Sequence, residues 1–246
     1  MAAALKDFTK WGRSIVAVGR NYALHAKELN NPLPTHPLLF LKPVSSYLSA
    51  PNPILLPSTH TIHHELELGV IIGHALPTPR AGKAFLDPQT QRREIEDAVG
   101  GYVLALDMTA RDLQDKAKKG GLPWTVAKGF DGFTPVGEFI DKTAIRDPHD
   151  LRLVLEIDGK TAQDGLTSDM LFDIPTLLAH INSIMTLQRG DLVLTGTPAG
   201  VGPVRPGQTL VGKLLQKNQD GPEGWKDVAG IRFPVAERPS PFAKGA

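Results

Sequence analysis

The chain has no cysteine among its 246 residues. That excludes disulfides, thiolate metal sites and a cysteine nucleophile together. It has no excess of either charge, with 27 Lys and Arg against 26 Asp and Glu. No global field therefore draws it to nucleic acid or to an anionic membrane. No apolar run approaches the ~18 residues of a membrane-spanning helix. The opening MAAALKDFTKWGRSIVAVGR lacks an apolar core followed by a cleavage site, because SIVAV reads better as a first strand. These absences predict an intracellular protein. Acidic residues are sparse before position 28, which is compatible with a short mitochondrial address as well as with the cytoplasm. No internal repeat and no interdomain linker is visible, so one domain over residues 1–246 is expected.

What is present is a series of short apolar runs punctuated by Gly and Pro. They are SIVAV (14–18), LLFLK (38–42), ELELGVII (65–72), GYVLALDM (101–108), LRLVLEID (151–158) and DLVLTG (191–196). Their length and β-branched content predict strands. Asp158-Gly159 predicts a type I′ hairpin. Two helices are expected. One spans 109–119, with Thr109 as its N-cap. The other spans 174–187, with Leu177, Leu178, Ile181, Ile184 and Met185 on one face and Pro175 in the first turn. Residues 77–97 and 216–228 read as polar surface loops. The fold class expected is mostly β, α+β with a few short helices.

Chemistry concentrates in four stretches. In HHELELGVII, Glu65 and Glu67 alternate with Leu66 and Leu68, so both carboxylates share one face of a strand that continues into apolar sequence. Burying two adjacent carboxylates is unfavourable unless a cation lies between them. Asp107 closes the next apolar strand in phase with Val103 and Ala105. Three carboxylates without Cys suit a hard cation such as Mg²⁺, Mn²⁺ or Ca²⁺. An exposed edge strand carrying ordinary salt bridges is the bland alternative, and His63 and His64 read as structural. In GRNYALHAKELN, His25 and Glu28 are three apart and share a face of a helical turn, as a general base and its orienting carboxylate do. A solvated polar pair is the alternative there, and the Pro-rich NNPLPTHP after it suggests a short lid. Arg111 and Gln114 repeat the three-residue spacing just after Asp107. Lys128, in the apolar TVAKGF, either snorkels from a strand or faces an anion. Finally, LVLTGTPAGVG ends a strand in a Gly-rich turn carrying Thr197. It is neither a Walker A loop nor a dinucleotide fingerprint, because no Gly-Lys-Ser/Thr comes next and Pro198 and Pro203 block a helix.

Taken in order, GRNYALHAKEL, FLKP, HHELELGVIIG, LDMTARDLQ, GLPWTVAKGFDGFTPVG and DLVLTGTPAGVG resemble the fumarylacetoacetate hydrolase family, nearest its acylpyruvase branch that also decarboxylates oxaloacetate. The resemblance covers about residues 11–212. It departs in the polar stretch 77–97 and after 212, where no matched motif residue is touched. It implies a mixed β-sandwich-like roll of the family's C-terminal type, usually a homodimer, with Mg²⁺ or Mn²⁺ bound. Position by position, it implies metal binding by Glu65, Glu67 and Asp107, and a water-activating dyad of His25 and Glu28 on a mobile lid. Arg111, Gln114, Lys128 and Thr197 match positions that hold the carboxylate and keto group of a small 2-oxo acid, with Lys128 also placed to stabilise developing charge. The implied activity is acylpyruvate hydrolysis and oxaloacetate decarboxylation through a pyruvate enolate. Oxaloacetate keto–enol tautomerisation on the same site is the alternative, and a non-catalytic module binding 2-oxo acids or metal is the alternative of another class. The resemblance also favours a mitochondrial location.

Overall fold

Strand alternation is the main organiser, because one run of residues faces two different cores. In Leu66–Ile72 all seven residues are buried. Leu66, Leu68, Val70 and Ile72 join one apolar cluster, while Ile71 joins another. A strand covered on both faces needs layers on both sides. The computed structural model, which describes residues 5–28, 32–77, 85–218 and 224–239, supplies them.

The larger sheet has eight strands. Its path runs Leu38–Lys42, Ile15–Gly19, Leu192–Leu194, Leu66–Ile72, Val99–Leu106, Thr134–Val136 and Tyr47–Ser49, with Ile140–Asp141 paired to Val99–Leu106 off the path. The two end strands are joined by only residues 43–46, so the sheet rolls up on itself. Lys42 Nζ, from one end strand, donates to the Phe133 carbonyl at 2.8 Å, just before Thr134–Val136 near the other end. Inside the roll lie Ile15, Ala17, Ile71, Val103, Ala105, Leu192 and Leu194. Phe8 of the Phe8–Trp11 helix joins them and meets Tyr47 edge-on. Outside it, Leu66, Leu68, Leu104 and Leu106 pack with Leu153, Leu155, Leu210, Leu214, Ile231 and Phe233. Those partners belong to a five-stranded sheet ordered Lys160–Leu166, Leu151–Ile157, Thr209–Lys217, Trp225–Glu237 and Ile54–Leu56. A third, small sheet joins Gly202–Pro203, Ile62–His64 and Thr109–Ala110.

All six expected strands form, and the Asp158-Gly159 turn has φ of 50° and 77° at its two residues, as a type I′ hairpin requires. Other details differ. The first helix is Arg111–Gly120, and Thr109 does not cap it. Thr109 lies in the small sheet, and the Arg111 N–H is satisfied by the Thr61 carbonyl at 2.8 Å. The second helix is Ile174–Ile184, with Asp173 as a true N-cap accepting the Thr176 N–H at 3.0 Å. Leu177, Leu178 and Ile181 are buried as expected, but Ile184 is 63% exposed, because the last turn runs past the edge of the core. The expected surface loop 77–97 lies partly outside the described residues. Its remainder includes the Arg92–Asp97 helix, whose Ile95 is fully buried, a single apolar anchor too isolated to register as a pattern. The loop expected at 216–228 is shorter, since strands extend to Lys217 and resume at Trp225. Residues 219–223 within it lie outside the described residues.

Candidate metal and substrate site

Glu65 and Asp107 sit where two paired strands change sheets together. Leu66–Ile72 pairs with Val99–Leu106, with Leu66 opposite Leu106, and Ile62–His64 pairs with Thr109–Ala110, with Ile62 opposite Ala110. The register runs on across a short gap between the two ladders, in which His64 and Glu65 lie opposite Asp107 and Met108, with Glu65 facing Asp107. The Asp107 N–H still bonds the Glu65 carbonyl at 2.8 Å. Glu67 lies two residues along the same face, inside the roll, opposite Ala105. The three carboxylates are all buried, and one oxygen from each lies within 4.8 Å of the others. A Cβ at the neighbouring Gly69 would come within 2.7 Å of Val103 and 2.8 Å of Leu192, so the roll closes tightly just beyond Glu67.

Cations surround the trio. Lys128 Nζ donates to Glu65 Oε2 at 2.9 Å and, more closely, to Asp107 Oδ2. Arg111 Nη2 donates to Glu65 Oε1 at 2.6 Å, and its Nη1 to Gln114 Oε1 at 2.5 Å. Lys42 Nζ donates to Asp107 Oδ1 at 2.5 Å and to the Phe133 carbonyl at 2.8 Å. Lys128 does not snorkel. It ends a short helix, Thr125–Lys128, and is 1% exposed, because the ion pairs draw its stem inward over the Phe40 ring. Lys42 is a residue that reading the sequence missed. Its signal was FLKP, an apolar strand ending in a lysine that the two adjoining carboxylate motifs could neutralise.

Protonation separates the two glutamates. Burial alone would raise the Glu65 carboxyl, but Lys128 and Arg111 beside it hold it well below the usual carboxylate range. Glu67 goes the other way, because burial and then the charges of Asp107 and Glu65 push it well above that range. Its one backbone partner, the Gly196 N–H at 2.8 Å, does not reverse this. Gly196 has φ of 95°, a left-handed turn suited to glycine, and that turn aims its N–H at Glu67. Beside Arg111, burial and the guanidinium lower His63 to about 4, so its Nδ1 can accept the Arg111 Nε–H at 3.4 Å.

The remaining expected residues converge on the same place. His25, Glu65, Glu67, Arg111, Lys128 and Thr197 line one cavity of about 30 Å³, space for roughly one water molecule. Gln114 lines it too. His25, on the Ala23–Glu28 helix, is buried, and its Nδ1 lies 3.3 Å from Glu28 Oε2. Glu28 also accepts the Gly200 N–H at 3.2 Å, tying this helix to the Gly-rich turn. The Thr197 hydroxyl donates to the Leu66 carbonyl and accepts from Gln163 Nε2, each at 2.8 Å, so its proton is already engaged. A cavity of about 860 Å³ elsewhere, beside Arg92 and Lys142, shares no residue with this site. The small one is the functional candidate, since convergent charge rather than volume marks a reactive site.

Gln163 is the other residue missed, an unremarkable strand glutamine in sequence. Its Oε1 accepts from the Leu66 N–H at 2.9 Å and lies 3.0 Å from His64 Nδ1, while its Nε2 serves Thr197 and the Pro198 carbonyl. It fixes the Gly-rich turn against the strand carrying both glutamates. Gln163→Met is expected to lower stability by about 2–4 kcal/mol, since several buried groups lose their partner. Urea unfolding checks this, and a change below about 1 kcal/mol would refute the bracing role.

The family described as fumarylacetoacetate (FAA) hydrolase C-terminal matches residues 14–223 of this chain. A relative in Arabidopsis thaliana named as a mitochondrial oxaloacetate tautomerase is 47% identical over 235 residues, covering 95% of this chain and 96% of the relative. A relative in Dictyostelium discoideum named as a mitochondrial oxaloacetate decarboxylase is 50% identical over 208 residues, covering 84% and 90%. Among solved structures, fumarylpyruvate hydrolase from Pseudomonas aeruginosa in complex with Mn²⁺ and pyruvate aligns with a TM-score of 0.78 at 29% identity, covering 92% of this chain and 90% of that one. The mostly-strand architecture agrees with these matches.

Proposed function

The chain belongs to the fumarylacetoacetate hydrolase family, and from that premise we propose that its acidic site acts on oxaloacetate and related 2-oxo acids through a common enolate. The observation that carries this reading is the buried convergence of Glu65, Glu67 and Asp107 within a ring of cations, beside the His25–Glu28 pair. The donor set is three carboxylate oxygens with neither sulfur nor imidazole, which fits Mg²⁺ or Mn²⁺. Mn²⁺ in the Pseudomonas structure supports the same choice. Glu65, Glu67 and Asp107 would hold that ion, which when bound supplies the concentrated positive charge that favours an enolate over its keto form.

The chain's own residues do the rest. Arg111 and Lys128 are fixed by Glu65 and Asp107, so they meet a substrate's carboxylate and keto oxygen without reorganising. Gln114 has spent its carbonyl on Arg111 and offers its amide N–H groups. Thr197 shapes the wall rather than donating its hydroxyl. With Nδ1–H donating to Glu28, His25 Nε2 is left as the acceptor for a proton from substrate carbon. Removing and returning the C3 proton of oxaloacetate interconverts its keto and enol forms. Breaking the C3–C4 bond instead releases CO₂ and leaves pyruvate enolate, whose C3 takes up a proton from solvent relayed through His25. Hydrolysing an acylpyruvate needs, in addition, a water that His25 activates before the same bond breaks.

The relatives' names support an order among these reactions. Keto–enol interconversion comes first and decarboxylation second. Acylpyruvate hydrolysis, which the sequence placed level with decarboxylation, comes third because of its extra water. A mitochondrial location, a single catalytic domain, a homodimer and movement of the Ala23–Glu28 helix as a lid belong to the same proposal.

The test monitors enol decay, pyruvate formation and CO₂ release side by side with added Mn²⁺. Accelerated enol decay without pyruvate supports the tautomerase ranking, and pyruvate in step with CO₂ puts decarboxylation first. No acceleration of any of them returns the site to a binding module. His25→Ala is expected to slow the catalysed step by roughly 10²–10⁴-fold, while oxalate affinity, which needs no proton transfer, stays within about twofold. Equal losses in both would remove His25 from the chemistry.

A further inference from the structure

Arg20 lines the same cavity but has no part in the chemistry proposed for it. It comes directly after the Ile15–Gly19 strand with φ of 60°, a left-handed conformation rare outside glycine. The other described non-glycine residue with positive φ, Asp158, is accounted for by its hairpin turn. Arg20 has no such excuse, and its conformation is imposed by the next residue in the chain. Asn21, 1% exposed, donates from Nδ2 to the Phe172 and Thr195 carbonyls at 3.0 and 2.8 Å. Its Oδ1 accepts the Phe172 N–H at 2.9 Å. This buried asparagine clamps the turn, and the clamp holds Arg20 on the cavity wall. Strain maintained by surrounding structure concentrates where function needs a side chain placed.

One nitrogen of the guanidinium is also unsatisfied. Arg20 Nε is buried without a hydrogen-bond partner, and among the described residues Arg20 makes no ion pair. Buried donors are nearly always paired in native proteins, so this one points to a ligand that brings the acceptor. Its surroundings are positive. Arg111 and Lys128 are already committed to Glu65, and Lys118, on the same wall, lies over the Trp124 ring and has Asp115 at 3.8 Å as its one ion-pair partner among the described residues. Burial, then the charges of Arg111 and Arg20, lower the Lys118 pKa. Glu65, in the inner part of the cavity, is thus matched by cations, while the wall carrying Arg20 and Lys118 has positive charge to spare.

We infer that Arg20 binds the second carboxylate of a dicarboxylic 2-oxo acid, and so selects substrates of that class over monocarboxylic ones. An arginine suits the task because its planar fork meets both carboxylate oxygens at once. This inference rests on the proposed 2-oxo acid function and deepens it by naming the substrate class.

Binding separates the two ideas, since it needs no turnover. The wild-type protein and Arg20→Met, each with Mn²⁺, are titrated calorimetrically with pyruvate, a monocarboxylic 2-oxo acid, and with 3,3-difluorooxaloacetate, a dicarboxylate that cannot enolise at C3. Arg20→Met is expected to weaken the dicarboxylate roughly 10- to 100-fold and pyruvate by less than about twofold. Arg20→Lys, which keeps the charge but loses the fork, should fall between. Arg20→Gly relieves the left-handed strain, so it should lose the same selectivity while melting about 2–4 °C higher. That gain rules out misfolding as the cause. If both ligands weaken equally, or neither does, Arg20 is not the selector and the 2-oxo acid reading stands. If the wild type binds neither ligand, both ideas fall.

Discussion

Replacing Glu67 by glutamine is expected to abolish metal binding without harming the fold. Glu67 is the member of the trio for which no ion pair is found among the described residues, whereas Glu65 and Asp107 are each held by two cations. In the metal-free protein its carboxyl is pushed well above the usual range by burial and by its two acidic neighbours, which favours the neutral form. A glutamine side chain replaces that neutral group nearly atom for atom and can still accept the Gly196 N–H. Oxaloacetate turnover should therefore fall roughly 10³-fold, while the melting temperature in EDTA holds or rises slightly. The same shift sets the sign of the pH dependence. The raised carboxyl keeps its proton in the folded state after the unfolded chain has lost it. Its contribution to stability is thus complete below the ordinary carboxylate pKa and declines as pH rises toward the folded value. Mn²⁺ must displace that proton, so metal affinity should climb with pH in the wild type, and calorimetry in buffers of different ionisation enthalpy should detect proton release. Retention of wild-type Mn²⁺ affinity in Glu67→Gln would remove Glu67 from the ligand set.

Lys128→Met should behave in the opposite way, damaging the fold more than metal capture. Lys128 is fully enclosed and neutralises Glu65 and Asp107 together. Burial lowers its pKa, but the two carboxylates outweigh this and raise it, so the ammonium persists throughout the accessible pH range. Removing it leaves Glu65 to Arg111 alone and Asp107 to Lys42 alone, with one buried oxygen of each carboxylate stripped of its charged donor, a loss of about 3–5 kcal/mol. For a chain of this size that corresponds to a melting temperature lower by roughly 6–20 °C. A divalent ion supplies the missing charge, so Mn²⁺ should restore most of the lost stability while catalysis stays impaired. Melting curves of the variant in EDTA and in Mn²⁺ decide the matter. A variant as stable as wild type in EDTA would mean that the carboxylates are neutralised by something else.

These contrasting outcomes for two neighbouring side chains mark the limit of what the sequence determines. Alternation in ELELGVII placed Glu65 and Glu67 on one face of a buried strand, because side chains in an extended chain must alternate. The same rule gave Asp107 its phase with Val103 and Ala105, and three-residue spacing paired His25 with Glu28 and Arg111 with Gln114. Local geometry enforces each of these, and the structure has all of them. Tertiary structure decided what lies across a gap. The break in the ladder at Glu65 and Asp107 depends on two strands leaving the roll together, which no single stretch encodes. Lys42 reaches Asp107 over a separation of 65 residues, and Gln163 reaches Thr197 over 34. The helical setting of Lys128, the exposure of Ile184 and the displaced cap at Thr109 were likewise set by packing, which overrides weak local preferences. Sequence periodicity reports which way a side chain points. Closure of the sheet, which buries charge only where opposite charge arrives from elsewhere in the chain, fixes what that side chain meets.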